Sequence, residues 1–219
     1  PELLFTGKIA AFCASARVMF SEESKQWRVI GDPTEAAMLV LGQKLGFHKD
    51  DLEKESPLLA EIPFDYRLRY HAVVHQLEDK KMLSVVGAPE SVLAISKKIW
   101  RNGKSYIMEA EDRKKLESVF LEMSESGLRV VALAKTIKPP EILKGEEIKD
   151  LVFVGFFGMK DALRLGVGEA LQKAISAGIK VVMITGDHKI TAKAIAREAG
   201  IYHDGEEILI GQDIDNFTE

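Results

Sequence analysis

Near its carboxyl end the 219-residue chain carries four apolar residues, Val181-Val182-Met183-Ile184, that run into Thr185-Gly186-Asp187. These residue types suit phosphate chemistry. Thr185 offers a hydroxyl, Gly186 lets a phosphoryl group approach the backbone, and the amides opening a following helix favour an anion. The pattern predicts a buried strand, a tight turn and a helix from His188 to Ala199. Ile190, Ala194, Ile195 and Ala199 share one helix face, and Gly200 is the stop. Small polar residues at the carboxyl end of such a strand stand where open α/β sheets bind ligands. The tripeptide also reads as a plain strand-to-helix turn with Asp187 as N-cap.

Other residues could join that chemistry. Asp161 and Arg164 follow the apolar run Leu151–Phe157, and a guanidinium suits phosphate, although a surface ion pair would explain both as well. Phe64 stands close to Arg67 and Arg69, a pattern suited to a purine on an aromatic face with phosphates nearby, or simply to a core aromatic. Glu35 could accept from an adenine amino group, but a capping role explains it too. Thr34, Glu35 and Arg129 gain meaning only together. Three motifs are set aside. Asp213-Ile214-Asp215 mimics a phosphatase Asp-x-Asp, but Gly211-Gln212 separate it from any apolar strand. The five histidines, His48, His71, His75, His188 and His203, lack metal-site spacing, and His71 and His75 lie in a strand pattern where four residues is a long step. No Walker or Rossmann glycine loop occurs.

Composition bounds the rest. The chain is 46% hydrophobic and 29% charged, enough for a real core in one or two domains, and its net charge of −4 gives no nucleic-acid footprint. The one cysteine, Cys13, allows no intrachain disulfide or cysteine metal site, which points to a reducing compartment and a small buried hydrophobe. No apolar run reaches membrane-span length and no signal peptide is read. The chain opens on Pro1 rather than methionine, which suggests a piece of something longer.

The elements that must position these residues follow in order. Leu3 to Val18 reads as a helix. Gly31-Asp32-Pro33-Thr34-Glu35 announces a second, with Asp32 as N-cap, Pro33 at the first helical position, Glu35 at capping-box spacing and Gly46 at the end. His71–Leu77 and Lys81–Val86 flank a Glu78-Asp79-Lys80 turn, a hairpin signature. Gly87-Ala88-Pro89-Glu90 starts a helix through Lys97. Glu109 to Gly127 is a longer helix with Leu116, Val119, Phe120 and Met123 on one face, and Leu128–Ala134 is again strand. Beyond Lys138-Pro139-Pro140 the pattern becomes strand–helix–strand–helix. Leu151–Phe157 is apolar throughout, as in a covered parallel sheet, and Gly178 ends a helix marked by Val167, Leu171, Ala174 and Ile175. The reading is therefore an α+β domain with an antiparallel sheet and flanking helices, residues 1–148, followed by an α/β domain with parallel strands, residues 149–219.

Six motifs then occur in order: Gly31-Asp32-Pro33-Thr34-Glu35-Ala36-Ala37, Pro63-Phe64-Asp65, Gly87-Ala88-Pro89-Glu90, Leu128-Arg129-Val130-Val131-Ala132-Leu133-Ala134, Asp161-x-x-Arg164 and Met183-Ile184-Thr185-Gly186-Asp187. Together they resemble the cytoplasmic catalytic region of P-type cation-transporting ATPases over nearly the whole chain. The likeness is to the calcium/sodium-pump-like branch, because no histidine here precedes a proline as the heavy-metal branch requires.

The resemblance implies a nucleotide-binding domain followed by part of a haloacid-dehalogenase-like phosphorylation domain. It places ATP against Glu35 and Phe64, with Thr34, Gly87 and Arg129 around it and Arg129 on the phosphates. Asp161, Arg164, Thr185, Gly186 and Asp187 would surround the transferring phosphoryl group. Mg2+ would be held mostly by residues outside this chain, and no metal ligand is assigned within it. The Asp-Lys-Thr-Gly-Thr segment should precede the chain and the Asp-Gly-x-Asn-Asp motif should follow. The partners implied are ATP and the parent pump's actuator, phosphorylation and membrane segments, on the cytoplasmic side of a membrane, with no nucleic acid. The sequence departs from the pattern at Val86, where lysine is frequent, at Tyr66-Arg67-Leu68-Arg69, and at Ala162-Leu163, where two prolines are usual. The leading reading is a soluble ATP-binding fragment that does not turn over, from a pump with an aspartyl-phosphate intermediate. Alternatives are a non-catalytic nucleotide sensor of pump descent and a free-standing haloacid-dehalogenase-like phosphatase.

Overall fold

A computed structural model describes residues 2–23, 25–160, 163–164, 166–187 and 189–214, without the side chains of Gln212 and Ile214. Asp161, Ala162, His188 and Asp215 lie outside the described residues. The chain forms two compact units, Pro1–Leu116 with Val130–Phe157, and Glu117–Arg129 with Gly158–Glu219.

The elements of the first unit begin with α1 (Glu2–Cys13), β1 (Arg17–Ser21), β2 (Gln26–Ile30), α2 (Pro33–Lys44) and α3 (Lys49–Glu55). Then come β3 (Leu58–Asp65), β4 (Tyr70–Leu77), β5 (Lys80–Gly87), α4 (Pro89–Ala94), β6 (Ser96–Arg101) and β7 (Lys104–Ile107). Helix α5 (Ala110–Glu125) leads out of this unit; β8 (Arg129–Thr136) and β9 (Leu151–Met159) complete its sheet. That sheet has seven strands in the order β3-β4-β5-β8-β9-β6-β7, while β1 and β2 pair separately. β6 runs parallel to β9, so the sheet is mixed rather than wholly antiparallel.

Local chemistry explains the hairpins. β4 and β5 are joined by Glu78-Asp79, with Leu77 opposite Lys80 and Glu78 at φ +42°. β6 and β7 are joined by Asn102-Gly103 at φ +49° and +75°, the left-handed pair that a two-residue turn demands. Alternation along the central strands then sorts the side chains onto two faces. On one face Val73, Met82, Val86 and Leu133 meet Ile9, Phe12, Met38 and Leu39 of α1 and α2. On the other, Ala72, Val74, Leu83, Val85 and Ala134 meet Val92 and Leu93 of α4. Gly42 lets α2 close on α1, since a Cβ there would stand 2.8 Å from that of Ala11. Lys135, buried in β8, sets its Nζ 4.1 Å and 3.8 Å from the ring centres of Phe5 and Trp100, and burial lowers its pKa to about 8.

The second unit packs the last turns of α5 with α6 (Val167–Ser176) and α7 (Lys189–Ala199), followed by the short α8 (Gly211–Ile214). Thr191 Oγ1 donates to the Leu128 carbonyl at 3.3 Å, and Lys160 pairs with Glu198 at 3.1 Å. Gly178 and Gly200 stand at φ +78° and +82° just past their helices, as expected of C-terminal stops.

Five expectations are corrected. The first helix ends at Cys13 rather than reaching Val18, which pairs with Val29 in the β1–β2 hairpin. The helix from Pro89 ends at Ala94 rather than Lys97, because Ser96 enters the ladder beside β9. Leu151–Phe157 is a covered strand, but it belongs to the first unit's mixed sheet rather than to a second, parallel one. Val181–Ile184 is neither strand nor buried; Ile184 is 94% exposed. A strand exists only through ladder bonds to a neighbour, and no described strand lies in register beside this run. In α7 the buried residues are Thr191, Ala192, Ala196 and Ala199, so of the face expected from the sequence only Ala199 is buried.

Candidate functional site

The amino end of α2 is built as the sequence suggests, with one change. Asp32, at φ −71° and ψ 132°, caps the helix through Oδ1, which accepts from the N–H groups of Thr34 at 2.7 Å and Glu35 at 3.3 Å. The Glu35 carboxylate reaches out of its own helix: Oε2 accepts from the Ser15 N–H at 3.0 Å and from the Ser15 hydroxyl. Glu35 thus ties the first turn of α2 to the segment after α1, and both Thr34 and Glu35 are half-buried.

Phe64 stands one residue before the end of β3 and is 52% exposed, a large aromatic ring with one side in water. Tyr66 meets it edge-on, with ring centres 5.4 Å apart at 90°. The turn that presents both rings is pinned by Asp65, whose Oδ1 accepts from the Arg67 and Leu68 amides at 2.7 and 3.2 Å. Arg67 also bonds Asp65 Oδ2 at 3.2 Å and holds that carboxyl below its ordinary pKa. Arg69, at φ +61°, lies 3.9 Å from Glu90, so both arginines near Phe64 already face a carboxylate. Gly87, opposite Tyr70 at the end of β5, has no room for a side chain, because a Cβ would run into the Arg69 carbonyl oxygen and the Tyr70 side chain. Val86 is buried in the core, and its cross-strand neighbour is His71. Arg129 is exposed at the first residue of β8.

Beside these residues the first unit contains a cavity of about 600 Å³, walled by the segment after α1, by α2, α3, β3 and β4. Ser15 lines it, as do Glu61, His71 and His75; Thr34, Glu35, Phe64 and Gly87 do not. His71 Nε2 and Glu61 Oε1 are 3.0 Å apart. His75 is stacked on Phe12, and burial, with a smaller contribution from Lys49, lowers its pKa to about 4. Its Nδ1 is buried without a hydrogen-bond partner among the described residues, an arrangement that costs about 1–3 kcal/mol. Both histidines sit on one face of β4, but four residues of strand separate them by about 13 Å. Among the described residues no group of three His, Cys, Asp or Glu side chains is placed to hold a metal. Burial also pushes the Cys13 thiol far above its ordinary pKa.

In the second unit Thr185, Gly186, Asp187 and Arg164 are all exposed. Thr185 Oγ1 donates to Asp187 Oδ2 at 3.0 Å and accepts from the Asp187 amide at 3.1 Å, which folds the tripeptide into a compact hydroxyl-centred turn. The sequence reading missed the Tyr66 edge contact, the Ser15–Glu35 bridge and the Glu61–His71 pair. The first was within reach, since Tyr66 lies two residues from Phe64; the other two span 20 and 10 residues and carry no local signal.

Comparison with known proteins agrees with the motif order. A family model described as P-type ATPase, cytoplasmic domain N, matches residues 5–166. The chain is 35% identical over 203 residues to "Calcium-transporting ATPase 1" of Lactococcus lactis, covering 91% of this chain and 23% of that protein. It is 33% identical over 218 residues to "Sodium/potassium-transporting ATPase subunit alpha-4" of Rattus norvegicus, covering 93% of this chain and 21% of that protein. It is 31% identical over 212 residues to "Calcium-transporting ATPase" of Bacillus subtilis, covering 95% and 24%. The chain therefore spans less than a quarter of the length of these relatives. Among the described residues no helix is long and apolar enough to cross a membrane. With the capped α2, the exposed Phe64 turn and the tight Gly87 all falling inside the matched segment, the chain belongs to the P-type cation-transporting ATPases and contains their cytoplasmic domain N.

Proposed function

We propose that the chain binds ATP as the nucleotide-binding portion of a cation pump, and that residues 1–148, whose sheet β9 completes, form that domain while the part of 149–219 beyond β9 contributes to its phosphorylation domain. The observation that carries this reading is Phe64. A ring that size left half in water adds little to the core, yet it is braced by Tyr66 and held on a turn pinned by Asp65. Such a face is suited to stacking a purine. Glu35 is the group for the adenine amino hydrogens, with Thr34 beside it. Gly87, buried and closed against Arg69 and Tyr70, holds the end of β5 beside them, and Arg129 is the group for the phosphates.

In the parent pump, Asp161, Arg164, Thr185, Gly186 and Asp187 would work around the transferring phosphoryl group. Electrostatic and positioning effects dominate that step, which suits a hydroxyl, an amide and a guanidinium. Mg2+ would enter with ATP and neutralise phosphate charge; no residue of this chain is assigned to it. The parent would sit in a membrane with this portion on the cytoplasmic side, and would couple ATP hydrolysis, through an aspartyl phosphate formed elsewhere in the pump, to cation movement.

The test is an NMR titration of the chain with ATP. Saturable shifts centred on Phe64 and Glu35 are expected, and Phe64→Ala should weaken binding by about 1–3 kcal/mol. An unchanged affinity in a folded Phe64→Ala variant would remove Phe64 from the site, and no binding at millimolar ATP would overturn the reading.

A further inference from the structure

Phe64 sits where the ladder between β3 and β4 breaks register. Ile62 lies opposite Ala72 and Asp65 opposite Tyr70, so Pro63 and Phe64 together face the single residue His71. Such a bulge leaves one residue out of the ladder and re-aims a side chain. Pro63 has no N–H to contribute in any case. The backbone is gripped again only at Asp65, and that grip depends on what holds its cross-strand partner, Tyr70.

Tyr70 is buried, and its hydroxyl donates to the Gly145 carbonyl at 2.6 Å, across 75 residues of sequence. Burial, with smaller contributions from the Glu146 and Asp65 carboxylates, raises the Tyr70 pKa, so the hydroxyl keeps its proton and stays a donor at neutral pH. Gly145 opens the 3-10 turn Gly145–Glu147, which lies between β8 and β9. That turn meets the residues after Phe64 at two more points. A Cβ on Gly145 would run into Cδ1 of Leu68, and Glu146 adds to the effect of Asp65 in raising the Arg67 pKa. The turn itself is seated by Leu143 and Ile148, which share an apolar cluster with Leu68 and Tyr70. We propose that Tyr70 and the Gly145–Glu147 turn are positioning residues for Phe64: they fix the segment that carries the ring, so a connection remote in sequence sets how the base is received. The inference rests on Phe64 as the base platform, and Tyr70 and Gly145 act through it rather than on the nucleotide.

The test is Tyr70→Phe in the whole 219-residue chain, which keeps the ring and removes the hydroxyl. In the ligand-free protein the aromatic 1H–13C resonances of Phe64 and Tyr66 should shift. The Arg69 amide, bonded to the Asp65 carbonyl at 2.6 Å, should exchange faster. ATP and adenosine should both weaken about fivefold, because the lost contact acts on the base side. In a Phe64→Ala background the same change should cost nothing further, the signature of residues that act through one another. Gly145→Ala leaves the Tyr70 hydroxyl in place, presses on a Leu68 methyl, and should move the same resonances. A folded Tyr70→Phe protein whose Phe64 resonances stay still overturns the proposal, and so does a loss of affinity that persists undiminished without the Phe64 ring. If Tyr70→Phe does not fold, unmoved Phe64 resonances in Gly145→Ala overturn it equally. Phe64 resonances that move in a chain binding no ATP would sink the nucleotide reading and leave the positioning of Phe64 standing.

Discussion

At the scale of single residues, the first unit contrasts an aromatic ring left in water with an imidazole locked away from it. Phe64 and Tyr66 stand exposed where a base could stack, while Arg129 lies at a strand end with its guanidinium accessible. If Arg129 serves the phosphates, Arg129→Gln should weaken ATP by about 1.5–3 kcal/mol and leave adenosine nearly unaffected, a difference readable by calorimetry with the two ligands. Equal losses for both would move Arg129 away from the phosphates. His75 gives a pH prediction with a definite sign. Unfolded, it takes up a proton near pH 6.5; folded, it does so only near pH 4. Between those values the unfolded chain binds more protons, so His75 stabilises the fold fully above about pH 6.5 and loses that contribution as pH falls towards 4. The loss should amount to roughly 2–3 kcal/mol. Urea midpoints measured at pH 7 and pH 5 should separate in the wild type and draw together in His75→Phe.

At the scale of elements, the site rests on two constructions. The first is the capped start of α2, where one carboxylate oxygen serves two backbone amides. Asp32→Ala should cost about 1 kcal/mol of stability, and Asp32→Asn much less, since the amide oxygen can still accept. Thermal melts of both variants would check the order. The second is the closure of β5 on the turn before β4. Because a Cβ at Gly87 would meet backbone and the Tyr70 side chain together, Gly87→Ala should destabilise by about 1–3 kcal/mol and lower ATP affinity as the strand end shifts. A stable Gly87→Ala protein with unaltered affinity would count against the tight junction.

At the scale of the whole molecule, the two compact units differ in how their backbones are satisfied. The first is organised by a seven-stranded sheet with helices on both faces. The second is helical, with the apolar run 181–184 left largely in solvent. Hydrogen exchange should report this directly. Amides of β4 and β5 should be among the slowest, opening only with the unit as a whole, whereas those of residues 181–184 should exchange near the unprotected rate. Strong protection at 181–184 would mean that the run pairs as a strand after all.

Local information was sufficient for much of this protein. Asp32-Pro33 at a helix start, Gly46, Gly178 and Gly200 at helix ends, and the alternating apolar strands around Glu78-Asp79 act over a few residues, and each stands where its own chemistry puts it. The ordered motifs likewise sufficed for the family. Asn102-Gly103 was equally local, yet the helix read through Lys97 concealed the hairpin it makes. Tertiary structure decided what depends on partners distant in the chain. Val18 became strand because Val29 lay opposite, and Leu151–Phe157 joined the first sheet because β6 offered a parallel edge. Val181–Ile184 has the composition of a buried strand, and no described strand lies in register beside it to make it one. The same reason governs the site. Type and position single out Glu35, but only folding brings Ser15 to its carboxylate, Glu61 to His71, and His75 to a buried place where its Nδ1 has no partner among the described residues.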